Sequence, residues 1–237
     1  MLVAAAVCPC PPLLVPEVAA GAAPELDAAR AACADALGVL AAARPDRLVV
    51  VAPAEESEHG AYAEGTPGSF RGFGVDVDVR LGARQDDRPQ RVLPASLAVA
   101  AWLLERTGWS DAPIEGLAVG EPLGAERCID IGRELAARAE RVALLVMGDA
   151  SACRTLKAPG YLDERAAPFD ASVARALGTA DVAALKALDL GLARELKALG
   201  RAPWQVLAGA AEDAGLGGTL LHEDAPYGVG YLVATWS

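Results

Sequence analysis

Two apolar runs constrain the fold of this 237-residue chain more than any other feature. One is Leu48-Val49-Val50-Val51-Ala52, within Asp46–Pro53; the other is Val142-Ala143-Leu144-Leu145-Val146-Met147, within Arg141–Met147. A strand with one face in water alternates apolar and polar residues. An unbroken β-branched run of this length is what a parallel strand covered on both faces requires. Helical spacing lies between such runs: Pro24–Ala43 with Pro45 beyond its end, Pro94–Arg106, and Gly124–Glu140. Leu2–Val7 and Glu115–Gly120 read as further strands. Alternation of strand and helix predicts an α/β fold: a single domain, residues 1–237, with a mainly parallel central sheet flanked by helices on both faces.

The remaining segments are predicted as follows. Ala54–Phe73 is polar, glycine-rich and long for a loop, which marks a functional segment. Val75–Arg80 alternates strictly and is expected as a half-exposed strand at or near a sheet edge. Gly82–Gln90 is a charged connection. Ala167–Asp213 is helical with breaks near Gly178, Asp189 and Gly200–Pro203. Thr219–Leu221 and Val229–Trp236 close the chain as strands.

Charge and composition then remove whole classes of function. Against 21 basic residues stand 32 acidic ones, a net of −11, and aromatics are 5% of the chain. A phosphate-tracking surface needs clustered Lys and Arg, and a base-stacking platform needs rings, so nucleic acid is not an expected partner. No stretch reaches the roughly 18–20 apolar residues that span a bilayer, so neither is a membrane. Met1–Val7 lacks a basic leading region and reads as a strand, not as a secretory signal. Five cysteines, Cys8, Cys10, Cys33, Cys128 and Cys153, are an odd number, better read as reduced thiols in a cytoplasm than as a disulfide framework. All basic residues except Lys157, Lys186 and Lys197 are arginine, which with the abundant alanine suggests a GC-rich bacterial coding sequence.

In sheets of this kind, sites form beyond the carboxyl ends of the strands. Three segments answer to that: Cys8–Pro12, Pro53–His59 and Gly148–Arg154. Cys8 and Cys10, two apart on an extended segment, point the same way and suit a soft ion such as zinc or copper(I); equally, they are two small buried hydrophobes. Cys153, in the turn after a buried strand, is placed to face Cys10 across a crevice. Cys33 and Cys128 lie in helical patterns and are assigned to the core. His59 is a candidate ligand or a solvated loop residue. His222 stands beside Glu223 and Asp224, which offer ligand types without a two-histidine helical spacing. Neither a phosphate loop nor a nucleophile elbow occurs.

Several segments together resemble the B-subunit (LigB-like) branch of the class III extradiol ring-cleavage dioxygenases. They are Ala5–Leu14, Met147–Ser151, Lys157–Asp163, Pro168–Asp170, Trp204–Ala210 and Ala225–Tyr231. The resemblance implies the α/β sheet and, in active members, a ferrous ion held by two histidines and a glutamate, with a further histidine as acid/base. Carried over position by position, the first histidine falls on Cys10. The second falls nearest Glu55, with His59 four residues late. The glutamate falls near Gly200 or Arg201, and the acid/base histidine falls on Ala152. The resemblance therefore implies the scaffold of a dioxygenase with its usual site lost, in a protein that binds a small ligand or a partner.

Two alternatives stay open: an active ring-cleaving oxygenase, with Cys10, Glu55 or His59, and Glu223 or Asp224 on the metal and His222 as proton donor; and a thiol or metal role for Cys10. No cofactor is assured; Fe(II), Zn and Cu are the ions left open. Cys10 and His222 are the catalytic candidates, and Cys8, Pro11, Asp149, Ser151 and Cys153 are expected to line the crevice. A homo-oligomer or a family-type partner subunit is the expected assembly.

Overall fold

The computed structural model describes residues 1–83 and 91–237. Most of the charged connection Gly82–Gln90 therefore lies outside the described residues. Seven strands form one sheet in the order β3-β6-β2-β7-β1-β9-β8. They are β1 (Leu2–Cys8), β2 (Arg47–Ala54), β3 (Gly60–Tyr62), β6 (Ile114–Gly120), β7 (Val142–Met147), β8 (Gly218–Asp224) and β9 (Tyr231–Trp236). β6, β2, β7 and β1 pair in parallel, whereas β3 at one edge and β9 and β8 at the other run antiparallel. A separate two-stranded ribbon joins β4 (Pro67–Ser69) to β5 (Asp78–Arg80).

The two unbroken apolar runs become β2 and β7, neighbours at the centre of the sheet. Successive side chains on each strand enter opposite layers, as a period of two demands. Ala4, Ala6, Val50, Ala52, Leu145 and Met147 pack toward α2 (Asp27–Ala42) and α3 (Ala95–Thr107). Ala5, Val7, Val49, Val51, Leu144 and Val146 pack on the other side, toward α4 (Ala125–Ala136), α5 (Ala166–Gly178) and α8 (Arg201–Ala210). Short helices α1 (Pro16–Ala19), α6 (Val182–Lys186) and α7 (Leu190–Glu195) complete the helical set. The Asp181 and Asp189 carboxylates cap α6 and α7 by accepting from Ala184 N at 2.9 Å and Leu192 N at 2.6 Å. α4 and α8 meet backbone to backbone: a Cβ on Gly132 would strike Val206 O, and one on Gly209 would strike Ile129 O. Among the described residues, no helix is long and apolar enough to cross a membrane.

Five expectations need correction. Val75–Arg80 does not join the main sheet. Only Asp78–Arg80 is strand, in the small ribbon, and Arg71 draws Asp76 and Asp78 together at 2.7 and 2.8 Å beside it. The long loop contains β3 and β4, so part of it is sheet edge. The helix expected from Pro24 begins at Asp27, after a 3₁₀ segment Ala20–Leu26 that accommodates the donorless Pro24. At the carboxyl end, β8 runs through His222, Glu223 and Asp224, beyond the Leu221 at which the expected strand ends. An edge strand tolerates polar residues on its open face, and pairing with β9 holds the backbone. β9 starts at Tyr231, later than Val229, because Gly230 N–H donates to Ser151 O at 2.8 Å and Gly230 O accepts from Ala150 N–H at 2.8 Å.

Candidate functional site

The carboxyl ends of the four parallel strands and the start of antiparallel β9 surround a cavity of about 910 Å³. β1 delivers Cys10, Pro11, Pro12 and Leu13, and β2 delivers Pro53, Ala54 and Glu55. Beyond β6 come Glu121 and Pro122, and beyond β7 comes Asp149. The start of α3 (Pro94, Ala95, Ser96) and the loop before β9 (Tyr227, Val229, Tyr231) close its sides.

The floor is built by a contact that the sequence sets up locally. In Pro9-Cys10-Pro11-Pro12, only Cys10 retains a backbone N–H, because proline has none. That single donor goes to Asp149 Oδ1 at 2.8 Å. Asp149 is held from the other side by α8. Gly148 and Gly200 touch with no room for a Cβ on either, and Gly200 N–H donates to the Asp149 carbonyl at 2.9 Å. Burial then pushes the Asp149 carboxyl up to about 7, a rise that the Cys10 N–H moderates. The Cys10 thiol is likewise raised well above its ordinary value, by burial and then by Asp149. Burial and the same carboxylate raise the Tyr231 phenol. Near neutral pH the floor therefore holds a neutral thiol, a neutral phenol and a carboxyl poised between its two forms.

The sequence-predicted residues separate clearly. Cys10, Pro11, Asp149 and Glu55 meet at this cavity. Cys8 lies in the core beneath it, and the adjacent Cys33 thiol and burial raise its pKa. Ser151 is fully buried and turned to Asp170, donating through its N–H at 2.8 Å and its hydroxyl at 2.9 Å, with Arg154 on the same carboxylate at 3.0 Å. Cys153 does not face Cys10: it packs in the layer on the opposite side of the sheet, its sulfur 3.5 Å from Leu196 O. His59 closes the ends of β2 and β6, with Nε2 3.2 Å from Ala54 O and the ring over Gly120, and is not on the cavity lining. His222 and Glu223 lie along edge strand β8 opposite Val233 and Leu232, away from the cavity. The set Cys10, Glu55, His59 and Glu223 is thus not brought together.

Glu121, Tyr227 and Tyr231 were not anticipated. Glu121 was within reach of the strand-end rule, since it directly follows a predicted strand. Tyr231 was not, because it opens an antiparallel strand whose beginning, not its end, lies at the site.

A ferrous centre of the kind the resemblance implies does not fit these residues. No imidazole lines the cavity, and among the described residues no three His, Cys, Asp or Glu side chains are grouped to hold an ion. Near the place where a carboxylate ligand is expected stands Arg201, 1% exposed, its guanidinium donating to Leu123 O at 2.6 Å, to Gln205 Oε1 at 2.9 Å and to Glu121 O. It holds the loop that carries Glu121 and Pro122 to the rim.

No family model matches the chain, and no curated protein matches it. Among solved structures it is similar to that of an uncharacterized protein, JW3007, from Escherichia coli K12. That likeness has a TM-score of 0.51 and 15% sequence identity, and it covers 99% of this chain and 100% of the other. At this identity it shows a shared fold alone.

Proposed function

We propose that this protein binds a small organic molecule in the cavity at the carboxyl ends of its parallel strands and does not carry out the ring cleavage of the dioxygenases it resembles. One observation carries the reading: about 910 Å³ of largely apolar space converges on a few polar groups at the Cys10–Asp149 floor, with no imidazole among them. Ligand cavities are of this size and kind, roughly 300–1,000 Å³ with sparse polar anchors. A thiol role for Cys10 is disfavoured by its burial and raised pKa, since the thiolate is the reactive form. All five cysteines are free, which suits a cytoplasmic setting.

The test pairs two measurements on the whole chain. A fragment screen read by calorimetry should yield ligands that Ala95→Trp, a change on the cavity wall, excludes. Anaerobic loading with Fe(II), followed by catechol and oxygen, should give neither oxygen uptake nor a yellow ring-cleavage product. Stoichiometric ferrous binding with coupled oxygen uptake would refute the proposal.

A further inference from the structure

The lining of the cavity has a one-sided chemistry. Five of its lining residues are acidic, Glu55, Glu56, Glu58, Glu121 and Asp149, and among the described residues neither Lys, Arg nor His lines it. Six of its residues, Pro11, Pro12, Pro53, Pro94, Pro122 and Pro159, have no backbone N–H, so the walls are short of donors as well as of positive charge.

Several polar groups within it lack partners. Asp149, 8% exposed, uses Oδ1 for Cys10 N–H, while no hydrogen bond among the described residues engages its Oδ2. Tyr231, 2% exposed, has a hydroxyl that none of those hydrogen bonds uses. Glu121 Oε1 and the Tyr227 hydroxyl are buried with no partner among the described residues. Buried oxygens left unpaired are costly and rare in folded proteins, and a cleft lined by one sign of charge concentrates the opposite sign.

Resting on the small-ligand reading above, we infer that the ligand is an apolar molecule carrying a protonated amine, its ammonium donating at the floor to Asp149 Oδ2 and its apolar body lying against the proline-lined walls. An ammonium brings three donors and one positive charge, which is what the lining lacks. A carboxylate or phosphate ligand would meet only like charge. A neutral alcohol would supply a single donor and leave the carboxylates uncompensated. A bare metal ion would need ligands grouped around one point, and among the described residues no three His, Cys, Asp or Glu side chains are so grouped.

The experiment is titration calorimetry at pH 8 on the full chain with matched amine, alcohol and carboxylate head groups, each on a phenylethyl and a naphthylethyl body. The amines should bind at least tenfold more tightly than the alcohols, and the carboxylates should not bind. Asp149→Asn should weaken amine binding about tenfold or more and leave alcohol binding unchanged. Glu121→Gln provides a second variant at the rim, with a smaller loss confined to the amines. Alcohols or carboxylates binding as tightly as the amines would overturn the charge assignment while leaving the small-ligand reading standing. Failure of all three head groups on both bodies would overturn both. Unchanged amine affinity in a folded Asp149→Asn protein would overturn the role given to Asp149.

Discussion

Asp149→Asn also tests the physical account of the floor in the absence of any ligand. The native carboxyl titrates at about 7 instead of its ordinary 3.8 because it is enclosed. At about 1.4 kcal/mol for each tenfold change in proton affinity, that displacement corresponds to about 4 kcal/mol. The sign follows from linkage. Between pH 4 and 7 the native state keeps a proton that the unfolded chain has released, so wild-type stability falls as pH rises through this window. Below pH 4 both states are protonated and the penalty vanishes; by pH 8 it is fully present. The amide still offers an oxygen to Cys10 N–H but does not ionise, so the variant escapes the penalty. Its remaining offset, from an extra N–H₂ group at the floor, does not depend on pH. Urea unfolding of both proteins at pH 4.5, 6, 7 and 8 should therefore show the variant gaining on wild type by about 3 kcal/mol across the series, since part of the penalty is already present at pH 4.5. A stability difference that stays constant to within about 1 kcal/mol would refute the enclosed-carboxyl argument.

Three further outcomes are expected. Gly209→Ala forces a methyl onto the Ile129 carbonyl and should destabilise by about 1–3 kcal/mol in urea unfolding, with Gly132→Ala similar. Unchanged stability in both would mean the two helices are not in backbone contact. Arg201→Met strips the Glu121 and Leu123 carbonyls of their donor and should cost about 2–4 kcal/mol, with exchange of amide hydrogens in residues 121–124 accelerating most. Slow modification of Cys10 by a thiol reagent at pH 7.5, far slower than that of an unfolded control, is expected from its burial and raised pKa; rapid labelling of the native protein would contradict that placement.

The site was partly legible in the sequence. The prolines after Cys8 announce the end of β1, and the same prolines leave Cys10 N–H as the one donor there. Pro11, Asp149 and Glu55 were reached by asking which residues follow buried runs. Cys153 and Ser151 were drawn in by the same rule and misplaced: the chain beyond Asp149 turns beneath the sheet, where Asp170 collects Ser151 and Arg154. Nothing in the local pattern reveals a partner 19 residues away. His59 and His222 attracted attention because histidine is rare in this chain, yet rarity carries no information about direction.

The sequence alone decided that a mainly parallel sheet would form and be covered on both faces, because strand burial is written in short-range patterns: unbroken runs, helical spacing, proline stops. Tertiary structure alone decided which strand ends meet. Cys10 and Asp149 are 139 residues apart, and their pairing exists because β1 and β7 are neighbours in parallel register. Tyr231 reaches the same floor because β9 joins that edge in the reverse direction. Such adjacency is set by how the whole chain buries its apolar surface, a property summed over all elements and carried by no one segment.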